Sequence, residues 1–549
     1  MANSCIKAVG SWTPGPNAVS QDPVAILRNL KNPVFAVSSP SVWRGKNLPF
    51  TLYGNGSCQF ESASSAGSLP LLAIAPPLLP NTLGQESFRR IYSLRYACLS
   101  GSMANAIASE DLVLAMAKSG MMGFFGSAGL SLDEVTKHIH SLKSKLGNLP
   151  YGLNLIHSPS DPQLENNLAK LFIAENIHCI EASAFLGLTP ALLHYRYSGL
   201  KRLADGSIYA PHHVFAKISR LEVASKLLSP PPPEMITSLV DQGALTAEEA
   251  ELARFVPPAS ALTAEADSGG HTDNRPAFGL LPSVINLRDR MQERFGWNVP
   301  VGAAGGIATP QAAAAAFAMG AAYVMTGSIN QACVESGSSD AVREMLAKAS
   351  PADVAMAPAA DMFEMGVNVQ VLKWGTMFPV RAKRLYEIYR AYASFDEVPT
   401  AVKDQIEKTM LRASFAEAWQ STKAFFAKRD PRQIAKAESD PKHMMALVFR
   451  SYLGQASRWA NAGLPDRRAD YQIWCGPSMG SFNQWCKGTF LENVKERHAD
   501  LAALNIMAGA CVLTRAALIA NQGVEIPAQW SCFEPLPFQE LASLLQESL

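Results

Sequence analysis

Short apolar segments alternate with segments of helical spacing from about residue 95 to about residue 350. Eight apolar segments have the length and composition of buried strands, at residues 95–99, 121–125, 151–156, 179–182, 214–219, 261–265, 299–303 and 323–326. Helical spacing follows each of them, at residues 104–119, 131–146, 161–175, 190–200, 221–255, 281–295, 310–319 and 330–349. Eight such units predict an α/β fold, the closed parallel (β/α)8 TIM barrel, because each parallel crossover places a helix on the outer face. A doubly wound open sheet is the alternative.

The regions on either side of the barrel differ from it in composition. Residues 1–88 are rich in Ser, Pro, Gly and Asn, with short extended pieces at 34–37 and 48–52, which predicts a small N-terminal domain. Residues 89–350 form the predicted barrel, and the oversized segment 221–255 is predicted to be an inserted helical flap. Residues 351–549 have amphipathic spacing at 381–393, 401–412, 415–428, 443–460 and 492–519 and no strand alternation, which predicts a helical C-terminal domain.

Composition narrows the functional classes. The chain has 549 residues, 48% hydrophobic and 17% charged, as in ordinary globular proteins. With 48 basic and 47 acidic residues there is no overall field to attract nucleic acid or an anionic membrane. Nine scattered cysteines without a Cys-x-x-Cys pair argue against a metal site and a disulfide framework, and they suit a reducing cytoplasm. The most apolar windows, 69–79 and 312–325, are too short or too interrupted to span a bilayer, so a soluble protein is expected.

Two glycine turns follow the seventh and eighth predicted strands, at Ala304-Gly305-Gly306-Ile307 and Gly327-Ser328. In a (β/α)8 barrel these two loops usually hold a phosphate group, because glycines let backbone N–H groups converge on its oxygens. The helix predicted from Pro310 would aim its positive end the same way. A dinucleotide fingerprint is the alternative, but the glycine spacing from Gly302 does not match it.

Polar residues and glycines stand at the other predicted strand ends. Polar groups inside an apolar barrel are costly to bury unless they bind a polar ligand or satisfy one another. FMN would suit this mouth, since Asn154 could bond the edge of its ring system and Lys217 could lie against the side where negative charge accumulates on reduction. A structural role is the alternative for each residue taken singly. The candidates are Gly101 and Met103 after the first strand, Asn154 on the third, Glu181 on the fourth and Lys217 on the fifth.

The sixth predicted strand leads into Glu265-Ala-Asp-Ser-Gly-Gly-His-Thr-Asp-Asn-Arg. This run places a histidine, three carboxylates and an arginine around adjacent glycines, which let a backbone approach closely. It lacks the spacing of a nucleophile elbow, a metal-ligand set or a Walker loop. It predicts the lip of a site, with Ser268, Gly269 and Gly270 beside the cofactor, and a polar turn with capping residues is the alternative.

Several segments together resemble the PfaD family, the trans-acting enoyl reductases of polyunsaturated fatty acid synthases and polyketide synthases. These are Tyr151-Gly-Leu-Asn-Leu-Ile-His, Ala216-Lys-Ile-Ser-Arg, the run from Glu265, Gly302-Ala-Ala-Gly-Gly-Ile, Thr326-Gly-Ser-Ile-Asn-Gln, Ala357-Pro-Ala-Ala-Asp-Met-Phe-Glu-Met-Gly and Tyr471-Gln-Ile-Trp-Cys-Gly-Pro-Ser. The resemblance covers about residues 88–500. Over the barrel alone the chain also resembles, more distantly, the flavin enoyl reductases of bacterial fatty acid synthesis and the nitronate monooxygenases.

The resemblance implies reduction of a trans-2-enoyl thioester on an acyl carrier protein, with hydride passing from NADPH to FMN and then to the β-carbon. His271 is the implied proton donor, on a loop expected to be mobile because of Gly269 and Gly270, and a core or capping histidine is the alternative. Asp267, Asp273 and Arg275 are expected to hold that loop. A flavin oxidase of the nitronate monooxygenase type and a non-enzymatic scaffold component of the synthase are the rival functions.

Partners follow from the same resemblance. The expected partners are acyl carrier protein domains of a synthase and a second copy of the chain in a homodimer, with no nucleic acid and no membrane, in the cytoplasm. Carrier proteins are generally acidic, so docking needs a local basic patch. Arg381, Lys383 and Arg384, with Lys373 just before them, form the densest candidate, close to the family-like run from Asp361. A solvated helix face is the alternative.

Overall fold

The computed structural model describes residues 7–16, 22–60, 67–159 and 161–545. Eight parallel strands follow one another around a closed barrel, and the eighth pairs with the first through Val324 and Cys98. The predicted (β/α)8 barrel is therefore confirmed, and an open doubly wound sheet is excluded. The barrel strands are Cys98–Ser100, Met122–Phe125, Tyr151–Ile156, Cys179–Ser183, His213–Ile218, Ala261–Glu265, Val301–Ala304 and Val324–Thr326.

Helices cover the barrel because each has an apolar stripe that packs on the strands. In the helix Leu132–Leu146, Val135, Ile139 and Leu142 are buried at helical spacing, and Ser131 caps the first turn by accepting a hydrogen bond from the Glu134 N–H. The helices of this region are Glu110–Lys118, Leu132–Leu146, Pro162–Ala174, Pro190–Tyr197, Leu221–Leu227, Pro233–Asp241, Ala247–Ala253, Ala277–Phe295, Pro310–Ala318, Ser328–Gln331 and Asp340–Ala347.

Aromatic side chains close the end of the barrel where the strands begin. Phe88, from the helix Glu86–Ile91, stacks on Tyr323 at the start of the eighth strand, with ring centroids 4.4 Å apart. Phe215 and Phe124 fill the adjoining interior, and all four rings are buried. A ligand can therefore enter only from the opposite end, where the strands finish.

The helical insertion lies beside the closed end of the barrel. It consists of the three short helices from Leu221, Pro233 and Ala247 rather than one long segment. The chain just after the third helix accepts hydrogen bonds at Val256 O from Tyr197 Oη (3.1 Å) and at Pro257 O from Arg196 Nε (2.9 Å). Both donors end the helix that leads to the start of the fifth strand, so the insertion is confirmed but is not a flap over the mouth.

The N-terminal region forms an antiparallel sheet. In spatial order its strands are Thr51–Tyr53, Val34–Val37, Leu69–Ala75, Gly10–Thr13 and Ser57–Gln59. A hairpin of Ser41–Trp43 and Lys46–Leu48 and a helix at Pro23–Arg28 complete it. The sheet has its own small core around Trp12 and Phe35, whose rings lie 6.4 Å apart.

The C-terminal region is mainly helical, as predicted. Its helices are Phe378–Ala391, Thr400–Ile406, Phe415–Arg429, Arg432–Ser439, Pro441–Asn461, Ser478–Cys486, Ala499–Asn521 and Phe538–Leu545. The prediction of no strands after residue 350 is wrong, because Val354–Pro358 and Asn368–Leu372 pair with each other. The second of these also pairs with Gly270–His271, in the loop after the sixth barrel strand, and so joins the helical region to the barrel mouth.

One long helix ties the three regions together. Ala499–Asn521 packs on the barrel helix Pro310–Ala318, where a Cβ on Gly509 would lie only 2.6 Å from Pro310 Cγ. Its buried Arg515 donates to Leu27 O (2.8 Å) in the N-terminal region. Among the described residues this is the one helix long and apolar enough to cross a membrane, and 78% of its apolar window is buried inside the protein. It therefore serves as a core helix of this fold.

Candidate active site at the barrel mouth

A cleft of about 600 Å³, partly open to solvent, occupies the barrel mouth. Its walls come from the ends of the first, fifth, sixth, seventh and eighth strands and from the C-terminal loop around Trp474. Nine of the predicted site residues line it: Gly101, Met103, Lys217, Ser268, Gly269, Gly305, Gly306, Gly327 and Ser328.

The two glycine turns form an open cradle of backbone donors. A Cβ on Gly306 or Gly327 would meet no atom within 4 Å, so both backbones face free space. Gly305 has φ +75°, and a Cβ there would lie 2.5 Å from Ala266 O, so no other residue fits. In the described part of the chain, the N–H groups of Gly306, Gly327 and Ser328 donate to no protein acceptor. Converging free N–H groups of this kind suit phosphate oxygens.

Lys217 lies between two carboxylates on neighbouring strands. Its Nζ is 3.3 Å from Glu265 Oε1 and 3.7 Å from Glu181 Oε2. The Ser102 N–H also donates to Glu181 Oε2 (3.1 Å), as does the Ser102 hydroxyl. Glu181 is fully buried, and its other oxygen, Oε1, has no hydrogen-bond partner within the described ranges. The cleft therefore has one cation at this end and an unsatisfied acceptor close behind it.

Burial and charge act in opposite directions on the pKa values of this pair. Burial raises the pKa of Glu181, and the nearby Lys217 cation offsets only part of that effect. Burial alone would lower the pKa of Lys217, but Glu181 and Glu265 together outweigh it and raise that pKa. Lys217 is therefore a permanent cation at physiological pH.

Asn154 lies inside the barrel but outside the cleft wall. Its amide Nδ2 donates to Glu181 O and to Ser183 Oγ, both at 3.0 Å, and the residue is 4% exposed. Both of these bonds use the amide nitrogen, and a contact of Asn154 with a flavin edge stays a prediction. The described residues that line the cleft do not include Asn154 or Glu181. Glu181 affects the cleft through its ion pair with Lys217, which does line it.

The segment after the sixth strand is held on two sides. Gly270 and His271 pair with Gln370 and Val369 of the strand Asn368–Leu372. A Cβ on Gly269 would lie 2.8 Å from Cys475 N, so the C-terminal chain passes directly over this glycine. The predicted close backbone approach is confirmed. Strand pairing and backbone packing hold the two glycines in this structure, and the mobility of the loop stays a prediction. Gly270 does not line the described cleft.

Polar side chains complete this attachment. Gln370, which is buried, donates from Nε2 to Asp267 Oδ1 and to Ser268 O, each at 2.8 Å. Arg220 donates to both oxygens of Asp273 at 2.8 Å and lowers the pKa of that carboxyl to about 2. Asp267 and Asp273 therefore hold the loop, as predicted. Gln370 was missed because its strand was missed, although Asn368-Val-Gln-Val-Leu alternates polar and apolar residues.

His271 faces Asp361 rather than the cleft wall. Its Nε2 lies 3.2 Å from Asp361 Oδ1, and among the described residues it is not part of the cleft lining. Burial opposes charge on the imidazole, but the hydrogen bond and the charge of Asp361 outweigh it and raise the pKa of His271. Burial would raise the pKa of Asp361, but the bond to His271 lowers it. Asp361 therefore lies against the loop after the sixth strand.

Six cleft residues were not singled out from the sequence, and three of them, Ser102, Met325 and Thr326, directly adjoin predicted ones. Trp474 and Ser478 come from the C-terminal loop, and Gln331 ends the short helix after the eighth strand. Trp474 is held at the mouth by a backbone bridge to Val371. The motifs that contain them were visible in the sequence, but Trp474 and Ser478 lie far along the chain from the barrel strands, which concealed their position.

The predicted basic patch is only partly on the surface. Arg381 forms an ion pair with Asp470, which is fully buried, so Arg381 is a structural residue and not part of a docking patch. Lys383 and Arg384 are exposed, and Arg384 lies 3.7 Å from Glu387. Lys373 is also exposed.

Comparison with known proteins agrees with this geometry. A family model described as nitronate monooxygenase matches residues 88–414, which contain the whole barrel. The chain belongs to the nitronate monooxygenase family. Nitronate monooxygenases are flavin-dependent oxidoreductases. A second family model, described as the inserted helical domain of [acyl-carrier-protein] S-malonyltransferase, matches residues 392–471 in the helical region.

Individual relatives are proteins of polyunsaturated fatty acid and polyketide biosynthesis. One component of the polyunsaturated fatty acid synthase of Thraustochytrium sp. is 46% identical over 457 residues, which are 82% of this chain and 30% of that protein. Polyketide biosynthesis protein PksE of Bacillus subtilis is 43% identical over 435 residues, 79% of this chain and 56% of that protein. This chain thus spans about a third to a half of the length of these curated relatives.

One solved structure matches this chain over almost its own whole length. The enoyl reductase domain of MlnA, from the macrolactin biosynthesis cluster of Bacillus amyloliquefaciens, is 38% identical. The match has a TM-score of 0.75 and covers 80% of this chain and 99% of that domain. The predicted resemblance to enoyl reductases of polyunsaturated fatty acid and polyketide synthases is therefore confirmed.

Proposed function

We propose that the chain is a trans-acting enoyl reductase that uses NADPH and FMN. Its substrates would be enoyl thioesters on acyl carrier protein, reduced at the 2,3 double bond, in polyunsaturated fatty acid or polyketide biosynthesis. The observation that carries this proposal is the match to nearly the whole enoyl reductase domain of MlnA at 38% identity. The relatives from both kinds of synthase support the substrate class.

The residues of the cleft fit FMN. The free N–H groups of Gly306, Gly327 and Ser328 suit one phosphate group, and among the cleft-lining residues of the described chain there is no second glycine cradle for a dinucleotide. Lys217 provides a cation at the other side of the cleft, held there by Glu181 and Glu265. Trp474 and Met103 add apolar wall suited to a flat ring system.

The chain's own groups would position charge and protons. When bound, FMN would supply hydride transfer from NADPH to the β-carbon of the enoyl thioester. Lys217 would stabilise negative charge in the cleft, since its raised pKa keeps it protonated. Asp361 raises the pKa of His271, which favours the protonated imidazole, and in the described structure its Nδ1 has no protein partner. That proton would pass to the α-carbon or to the thioester oxygen.

Anaerobic half-reactions test the proposal. The purified protein should contain one FMN per chain, identified after acid release, and NADPH should bleach it. Crotonyl thioester should then reoxidise the flavin faster than air does. A cofactor that is released as FAD, or a colourless protein, would contradict the proposal.

A flavin oxidase of the nitronate monooxygenase type is the second candidate, because the family model carries that description. It shares the barrel and the cleft but passes electrons to oxygen. The same experiment separates the two: an oxidase would be reoxidised rapidly by air after reduction by a nitronate, and crotonyl thioester would have no effect.

Partners and location belong to the same proposal. We infer that the chain meets acyl carrier protein domains of a synthase, as the synthase relatives support. Lys383 and Arg384 are the exposed part of the predicted docking patch. The homodimer and the cytoplasmic location stay predictions, which light scattering and cell fractionation would test.

A further inference from the structure

The cleft has donors at its glycine end that come from the C-terminal region. The helix Ser478–Cys486 begins at the cleft wall, and its capping residue, Pro477, offers no side-chain hydrogen bond to the first turn. In the described structure the N–H and hydroxyl of Ser478 have no protein partner. The next three N–H groups of the first turn donate to Gly476 O or Pro477 O, so Ser478 supplies the free donors, at the positive end of the helix dipole.

Gln331 is a second and independent sign of a ligand at this place. It is 2% exposed and lines the cleft, yet within the described ranges its side-chain amide makes no hydrogen bond to protein. Its amide atoms are not among the fully buried polar atoms of the described residues, so in this otherwise buried side chain they face the cleft, where a ligand group can bind them. Gln331 sits three residues after Ser328, at the end of the same short helix.

The two features lie together next to the glycine cradle. The Gly476 N–H donates to Ser328 Oγ at 3.1 Å, which brings the start of the helix Ser478–Cys486 against the turn at Gly327. Among the charged side chains, only Lys217 and Glu265 line the described cleft, and both come from the fifth and sixth strands. An anion at the glycine end would therefore depend on neutral donors and on the helix dipole.

We propose that Gln331 and the N-terminus of the helix Ser478–Cys486 complete a phosphate subsite in the cleft. This inference rests on the proposed function for the identity of the ligand, since both FMN and NADPH carry a phosphate group. The C-terminal region then takes part directly in ligand binding, and the glycine turns alone supply only part of the donors. A charge-assisted hydrogen bond from a buried amide changes affinity about tenfold.

Flavin binding to the full-length chain, after reversible removal of flavin, tests this subsite. FMN and riboflavin differ only by the phosphate, so their dissociation constants are measured by fluorescence quenching for the wild type, Gln331→Leu, Ser478→Ala and the double variant. Ser481→Ala, one turn further along the same helix, is the matched control. We expect Gln331→Leu to weaken FMN binding about tenfold and Ser478→Ala by a smaller factor, with riboflavin binding unchanged and the control like the wild type.

The outcomes distinguish the phosphate of FMN from that of NADPH, and failure of the subsite from failure of the proposed function. If flavin binding is unchanged but the KM for NADPH rises relative to that for NADH, the phosphate is that of the nucleotide and the subsite stands. Equal losses for FMN and riboflavin, or no change with either flavin or nucleotide, would overturn the subsite while the proposed function stands. A wild-type chain that binds neither flavin would instead overturn the proposed function.

Discussion

Replacing Lys217 by methionine should destabilise the barrel mouth through the carboxylates that it leaves unpaired. Methionine keeps much of the length and volume of the lysine but has no charge. In the wild type, Glu181 is fully buried and has Lys217 as its nearby cation, at 3.7 Å, and Glu265 lies 3.3 Å away on the other side. Removal of the lysine therefore leaves a buried charge without compensation.

The magnitude follows from these distances. At an effective dielectric constant of about 20, each contact corresponds to about 4 to 5 kcal/mol of Coulomb attraction, part of which offsets the desolvation of the charges. We expect a net loss of about 3 kcal/mol in the free energy of unfolding at pH 8, in the range for breaking a buried pair. Adding Glu181→Gln removes the stranded charge and should restore about 2 kcal/mol.

The loss of stability in Lys217→Met should depend on pH in a defined direction. Burial raises the pKa of Glu181, and loss of the Lys217 cation raises it further. A carboxyl whose folded pKa lies above the unfolded value of about 4.3 binds its proton more tightly in the folded state, so stability falls as pH rises between the two values. The Lys217→Met variant should therefore be closest to the wild type at mildly acidic pH, and the gap should widen towards pH 8.

Denaturant unfolding at several pH values measures this, with Lys423→Met as control. Lys423 pairs with Glu438 at the surface, so its loss should change stability by less than about 0.5 kcal/mol. With flavin present, Lys217→Met should also weaken flavin binding or slow flavin reduction by about 1 to 3 kcal/mol. A variant as stable as the wild type at pH 8, insensitive to Glu181→Gln and unchanged in flavin binding and reduction, would refute the ionic arrangement.

Three further predictions concern the proton donor, the fixed loop and docking. His271→Ala should keep the flavin and its reduction by NADPH but slow enoyl reduction by about 10² to 10⁴-fold in stopped flow; an unaffected oxidative half-reaction would assign the proton to another group. Because Asp361 raises the pKa of His271, enoyl reduction should fall as pH rises through that pKa, and Asp361→Asn should move the fall to lower pH. Gly269→Ala should lower the melting temperature and loosen flavin binding, because the added Cβ would lie 2.8 Å from Cys475 N, whereas an unchanged melting temperature would show that the two backbones can separate. Reversal of Lys383 and Arg384 to glutamate should raise the KM for the acyl carrier substrate, less so at high salt, and spare small thioesters, while equal effects on both would assign these charges to the fold.

The barrel could be predicted because its strands are buried on both faces and appear as continuous apolar runs. The fifth strand, predicted at 214–219, is His213–Ile218, and the seventh, predicted at 299–303, is Val301–Ala304. Once eight strands are counted, the fold rule places Gly305 and Gly327 at one mouth without any knowledge of tertiary contacts. The local sequence pattern and the barrel topology were together sufficient to predict the half of the cleft that the strand ends form.

The other half of the cleft depends on pairing between distant segments. The strand Asn368–Leu372 is short and pairs with Gly270–His271, about a hundred residues earlier, so no local pattern reveals it. The position of Trp474 and Ser478 depends in turn on that strand, through the bridge from Val371 to Trp474. The strand of Asn154 could be predicted from its apolar run but its neighbours could not, and among them the Glu181 carbonyl accepts a hydrogen bond from its amide.

Mass spectrometry of the acyl group after turnover tests the central claim most directly. The protein is incubated without oxygen with NADPH and a trans-2-enoyl group carried on an acyl carrier protein, and the acyl group is then released and analysed. We expect the saturated acyl group, heavier by two hydrogens, and much less of it from His271→Ala or Lys217→Met at the same enzyme concentration and time. An unchanged enoyl group, with NADPH consumed only when oxygen is admitted, would contradict it and identify an oxidase.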